Sequence, residues 1–156
     1  MRSIAFCLAA ALWAIACRAD GLSEQMLRDV VNAKPSVRWD AASVVPGNFD
    51  GKSSGRGAML GYAGSKVYLA IQTGTRAERP RYQFLEFGVG ATAQAAICTA
   101  PAKLEVYPLD CSADGDALPG CKASKGASGL SIVDGDCDSI HLYWDHDAKL
   151  MRWWLR

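Results

Sequence analysis

The sequence predicts a mainly β fold: one small antiparallel β domain with a single short N-terminal helix and two disulfides, arranged as stacked hairpins, a propeller-blade-like unit or a sandwich. Three observations carry this. Apolar residues recur with a period of two over most of the chain after residue 36, clusters of Gly, Pro, Asp and Ser interrupt that pattern at short intervals, and only one stretch keeps a helical period.

The chain opens on "MRSIAFCLAAALWAIACRAD", with one cation at Arg2, an apolar run from Ile4 to Ile15 and small residues before Asp20. This is the layout of a secretory signal, and the run is too short for a permanent span. Residues 1–19 are therefore expected to be a signal peptide and residues 20–156 one domain. Cleavage after Ala19 removes Cys7 and Cys17 and leaves an even number of cysteines. Alternatively, "AIAC" reads as a lipobox, with Cys17 lipidated and the protein anchored to the outer membrane. Either route places the chain in the periplasm, and no later stretch is long or apolar enough to span a bilayer.

Next comes "SEQMLRDVVNAKP", where Ser23 can cap, Met26, Leu27, Val30 and Val31 form one stripe, and Pro35 blocks continuation. After it the period becomes two. In "KVYLAIQ", Val67, Leu69 and Ile71 share a face, and in "GAMLGY" Ala58, Leu60 and Tyr62 keep the same phase; the short "AGS" between them makes a hairpin. Further strands are expected in "SVRWDAASVV", "RYQFLEFGV", "KLEVYPL", "LSIV", "SIHLYW" and "LMRWWL", and "DHDAK" between the last two reads as a turn. The stretch "ATAQAAICTA" could add a turn or two of helix.

Cys98, Cys111, Cys121 and Cys137 allow three pairings. Joining neighbours, Cys98 with Cys111 and Cys121 with Cys137, closes two short loops and is the expected connectivity. Each bridge is worth about 2–4 kcal/mol.

The whole chain carries 17 basic and 16 acidic side chains; loss of Arg2 and Arg18 with the signal leaves it close to neutral, which does not suit nucleic acid as a partner. The charges are uneven, however. Eight acids and two lysines lie between Asp110 and Asp147, whereas "RAERPR" sets Arg76, Arg79 and Arg81 around Glu78. An acidic face of this kind could steer a basic partner.

The loop "GNFDGKSSGRG" at residues 47–57 poses a choice between phosphate, metal and plain turn. A phosphate loop needs four residues between its first two landmark glycines and a helix after it, but three residues separate Gly47 from Gly51 and a strand follows. The wider segment "VVPGNFDGKSSGRGAML" resembles the FG-GAP calcium loop of integrin-type β-propellers, whose pattern is roughly G-D-F-[DN]-G-D-G-x-x-D-x-A-V-L. That resemblance covers residues 44–60 and extends along the next strand to about Ile71. It implies calcium ligands at Asn48 and Asp50, while Lys52 and Arg56 fall where the third and last carboxylates belong. Two cations in the shell remove ligands and add repulsion. The expectation is a metal-free corner held by Asp50 with Lys52 or Arg56, and no cofactor.

The segment "DGDCDSIHLYWDHDAKLMRWWLR" concentrates the remaining chemistry. Asp134, Asp136, Asp138, His141, Asp145, His146 and Asp147 are residue types that bind zinc or move protons, but no H-E-x-x-H or C-x-x-C spacing organises them. On a strand Ser139, His141 and Tyr143 share one face and Ile140, Leu142 and Trp144 the other. Ser139 with His141, or Asp136 or Asp138 with Asp145, supplies at most half of a catalytic set, so no catalytic residue is assigned and the protein is not expected to be an enzyme. The aromatics are more informative. Adjacent Trp153 and Trp154 must point to opposite faces, so that one can enter the core and the other is left exposed or at an edge. Asp136, Asp138, His141, Tyr143, Trp144, His146, Trp153 and Trp154 are the candidate partner-binding residues.

The C-terminal stretch "GLSIVDGDCDSIHLYWDHDAKLMRWW" is similar to the ending of small exported bacterial proteins with an FG-GAP-like loop, a design that resembles periplasmic immunity proteins and lysozyme inhibitors. The resemblance implies a binding protein that neutralises a secreted cell-wall hydrolase by contact. A carbohydrate or peptidoglycan module using Trp144 with Trp153 or Trp154 is the second expectation. A metal-dependent hydrolase built on Asp136, Asp138, His141 and His146 is the third.

Overall fold

The computed structural model describes residues 21–52, 55–76, 79–90 and 97–155. The expected signal peptide, Cys17 and its lipidation, and most of "ATAQAAICTA" lie outside the described residues.

The first described element is helix α1, residues 21–33. Its stripe behaves as the spacing requires, since Met26 and Val30, four apart, are fully buried, but Val31 is 42% exposed because it turns past the contact line. The helix begins earlier than expected, so Ser23 lies inside it rather than at its cap, and its hydroxyl donates to the Ala41 carbonyl at 2.9 Å.

The rest is antiparallel sheet. The strands are β1 (Arg38–Trp39), β2 (Val45–Gly47), β3 (Arg56–Ala63), β4 (Lys66–Arg76), β5 (Arg79–Gly88), β6 (Lys103–Pro108), β7 (Ser112–Ala113), β8 (Asp116–Ala117), β9 (Ser128–Val133), β10 (Ile140–Asp145) and β11 (Leu150–Leu155). The expected single strand "SVRWDAASVV" is broken into β1 and β2 by a 3-10 turn, Ala41–Ser43, whose start the Asp40 carboxylate caps by accepting from the Ala42 N–H. The first sheet runs β1-β3-β4-β5 with β2 beside β3, and the second runs β11-β10-β9-β6.

Period-two alternation places Ala58, Leu60, Val67, Leu69, Ile71 and Phe87 on the inner face of the first sheet. Leu104, Leu130, Ile132, Ile140, Leu142, Trp144 and Met151 meet them from the second. One core thus lies between two sheets, which makes the fold a sandwich. The outer face of the first sheet is covered too: Met59 and Ala70 pack under Met26, Val30, Val37 and Trp39. Gly61 makes that approach possible, because a Cβ there would lie 2.6 Å from Val37 Cγ1 and 2.7 Å from the Trp39 ring.

Polar groups close both sides of the sandwich. The Gln83 amide on β5 acts as a stand-in strand, donating to the Met151 carbonyl at 2.9 Å and accepting from the Met151 N–H at 2.7 Å. On the far side Asn48 donates from its backbone N–H to Ser128 Oγ and from Nδ2 to the Gly126 carbonyl, and its own carbonyl accepts from the Ser128 N–H.

The disulfides are Cys98–Cys137 and Cys111–Cys121, which corrects the neighbour pairing expected from the sequence. Sequence proximity failed as a guide because β6 and β9 pair with each other, returning Cys111 and Cys121 to one base while carrying Cys98 to the β9–β10 loop.

Candidate functional site

The loop that resembles a calcium site is tied down by its own side chains. Phe49 is 1% exposed and anchors the loop in the core, which turns Asp50 inward until it too is buried. One Asp50 oxygen accepts from the Lys52 N–H at 3.0 Å and the other faces Arg56 Nη2 at 3.4 Å. Of the two cations expected to hold the corner, Arg56 supplies the charge and Lys52 only a backbone donor; its side chain is exposed. Asn48, the other implied ligand, is spent on joining the sheets.

Two more acidic turns are organised the same way. Burial opposes ionisation of Asp134, but N–H groups of Thr99, Cys137, Asp136 and Cys98 converge on it and hold its carboxyl below the usual carboxylate range. Asp136 accepts from the Thr99 hydroxyl at 3.1 Å, so both acids fix the segment that carries Cys98. Asp145 is 3% exposed. The Ala148 and Asp147 N–H groups, each 2.9 Å from Oδ1, and the Arg152 guanidinium beside Oδ2 lower its pKa despite desolvation, the Ala148 bond contributing most. Asp145 is thus a turn-forming residue rather than half of a carboxylate pair.

Gly120 packs directly on that carboxylate, and its φ of +68° lies in the left-handed region. A Cβ there would fall 2.0 Å from Asp145 Oδ1. Gly120→Ala is expected to cost about 2 kcal/mol, combining the left-handed penalty with displacement of the Asp145 turn, as read by urea unfolding.

A cleft forms on the outer face of the second sheet. After β6 the chain leaves the sheet, makes the β7–β8 hairpin and returns to β9, with Cys111–Cys121 closing its base. Between that hairpin and the sheet is a space of about 420 Å³ lined by Tyr107, His141 and Trp154 on one side and Asp110, Ser112 and Asp114 on the other. The rings form a continuous row. His141 and Trp154, directly opposite in register, stack at 4.5 Å with planes 18° apart, and Tyr107 meets His141 edge-on at 5.8 Å. Gly129 leaves room for this, since a Cβ on it would lie 2.4 Å from the Tyr107 ring. Burial raises the Tyr107 pKa, so its phenol stays protonated. The result is aromatic surface on one wall and carboxylates on the other.

The expected partner-binding residues therefore separate. His141 and Trp154 belong to the cleft. Tyr143 is 3% and Trp144 8% exposed, so neither presents a ring to a partner, and Trp144, on the inner face with Ile140 and Leu142, is a core residue. Trp153 does point opposite to Trp154, but neither enters the core: Trp153 lies on the edge strand, 42% exposed, edge-on to Phe87 at 5.6 Å. Asp136 and Asp138 are exposed in the β9–β10 loop. His146 follows β10 at its far end, about 16 Å along the strand from His141. The four residues of the hydrolase reading are thus spread over the sheet, and among the described residues no group of three or more His, Cys, Asp or Glu side chains gathers as a metal site.

Tyr107, Asp110, Ser112 and Asp114 were not singled out by the sequence. The available signals were weak: "KLEVYPL" places Tyr107 on the polar face of its strand, and a glycine inside "GLSIV" marks a close approach. No protein-family model matches the chain, and neither the curated proteins nor the solved structures contain a significant match.

Proposed function

We propose that this is a periplasmic binding protein of the inhibitor or immunity type, neutralising a secreted cell-wall hydrolase through contacts made by the aromatic and acidic cleft. The observation that carries the reading is the His141–Trp154 stack facing Asp110 and Asp114 across a disulfide-closed cleft. A lysine or arginine of a basic partner suits such a cleft, because its charge meets the carboxylates while its stem or guanidinium lies on the rings. The remaining acids of the 110–147 region would steer the approach. The disulfides fit an oxidising compartment, and the signal-like N-terminus fits export, with Cys17 as the lipid anchor if the lipobox is used.

A direct test titrates the purified protein against a panel of basic secreted muramidases and amidases while wall degradation is followed. One enzyme is expected to be inhibited stoichiometrically, and Trp154→Ala should weaken that inhibition about thirtyfold, as removal of a central aromatic anchor does. A second reading is favoured by the same rings, since His141, Trp154 and Tyr107 also present stacking surface to a sugar. Sedimentation with purified sacculi, lost in Trp154→Ala and unaccompanied by inhibition of any hydrolase, would replace the first reading with a glycan module.

A further inference from the structure

We infer that the protein has a second binding site, a cleft for a small multivalent oxyanion, at the end of the sandwich where the β10–β11 turn meets the first sheet. The space there is about 370 Å³, within the range of small-molecule sites, and Lys52, Arg81, His146 and Lys149 line it above Trp144 and Thr73. These residues come from three separate loops or strands, so it is the fold that brings the cations together.

Three independent features set this cluster apart from an ordinary solvated surface. The first is charge. Five cations among the described residues have carboxylate partners, Arg28 with Glu24, Arg56 with Asp50, Lys66 with Glu86, Lys122 with Asp147 and Arg152 with Asp145, and Lys34 and Arg38 lie over aromatic rings; Lys103 and Lys125 have neither, so what marks the cleft is the gathering of such cations in one space. Lys52, Arg81 and Lys149 make no ion pair with any described residue. The cleft's one carboxylate, Asp50, is engaged by Arg56, so the field inside is positive.

The second and third features are backbone irregularities. The β4–β5 ladder slips between Gln72 and Gly74, and the extra residue at that bulge is Thr73, which lines the cleft. Bulges re-aim side chains beside functional sites. On the facing turn Lys149 has a φ of +56°, a conformation L side chains rarely adopt and in which a β10–β11 turn would ordinarily carry glycine. A lysine kept in that conformation, lining one space with two other cations that make no ion pair among the described residues, is explained by an anion held among them. Phosphate esters and polycarboxylates share the required chemistry.

The test uses the whole folded protein and two probes, inorganic phosphate and citrate, at ionic strength held constant with sodium chloride. Saturable shifts of the Trp144 indole N–H and the His146 amide are expected in NMR spectra with at least one probe. Saturation with phosphate alone identifies a phosphate-bearing ligand, and with citrate alone a carboxylate-bearing one. Lys149→Gly removes the cation while relieving the left-handed backbone, so its thermal midpoint should hold or rise while anion binding weakens about tenfold. Arg81→Gln should weaken binding similarly. Lys103→Gln, on the distant end of β6, and Trp154→Ala, in the other cleft, should leave it unchanged. Shifts that follow ionic strength without saturating for both probes, or binding that survives Lys149→Gly and Arg81→Gln undiminished, would overturn the assignment.

Discussion

Asp50→Ala is expected to lower the free energy of unfolding by about 3–5 kcal/mol, the cost of leaving a buried ion uncompensated. Asp50 and Arg56 have side chains only 8% and 16% exposed, and the Arg56 Nε is already buried without a hydrogen-bond partner. Removing the carboxylate takes away the charge that offsets the guanidinium and also the acceptor for the Lys52 N–H. The loop cannot swing out to hydrate the arginine cheaply, because Phe49 on one side is locked into the core and Gly47 on the other pairs with Arg56 itself.

Replacing both partners should cost far less than replacing one. In Asp50→Ala/Arg56→Met no buried charge remains, so most of the lost stability is expected to return, and the double-mutant cycle isolates the coupling. Equal destabilisation in the single and double variants would show that the pair is not what holds the corner. The same proteins test the resemblance to a calcium loop. Millimolar calcium is expected to leave the wild-type thermal midpoint where it stands in chelator; a calcium-dependent rise that disappears in Asp50→Ala would mean that the carboxylate serves a metal and that Arg56 yields to it.

How far such features can be read in advance depends on whether their cause is local. The alternation of Leu60, Leu69, Ile71, Ile140 and Leu142 fixed faces correctly because a strand's two faces are set by the pleat, and Met26 and Val30 did the same for the helix. Adjacent tryptophans likewise had to diverge. What alternation cannot supply is the depth of a face, which depends on where a strand sits in its sheet: Trp144 on a central strand is buried, while Trp153 on the edge strand keeps 42% of its surface in water. The aromatic cleft was harder still. Tyr107 reaches His141 only because β6 pairs with β9 in the register that sets Tyr107 opposite Gly129, a non-local fact with no local sign beyond one glycine. Lys149 is the converse case, a residue whose strain is local but visible only once the turn's backbone is known.

Breaking Cys98–Cys137 by Cys98→Ala/Cys137→Ala is expected to cost about 4 kcal/mol, against about 3 kcal/mol for Cys111→Ala/Cys121→Ala, because loop-closure entropy grows with the logarithm of the loop and the separations are 39 and 10 residues. Alanine is preferred to serine here so that no new hydroxyl needs a partner. The two losses should differ in kind as well as size. Cys98–Cys137 joins the segment before β6 to the β9–β10 loop, where Thr99 already bonds Asp134 and Asp136 and where Ile97 is buried in the core, so its removal acts on the whole sandwich. Cys111–Cys121 closes an excursion from one sheet, and its removal frees the wall that carries Asp110 and Asp114 over the aromatic row. Urea unfolding should therefore report mainly the first bridge, and Trp154-dependent binding mainly the second. Non-reducing peptide maps fix the connectivity on which both expectations stand: fragments joining Cys98 to Cys111 and Cys121 to Cys137 would mean that each double variant breaks both bridges, which removes the 39-residue closure and erases the ranking.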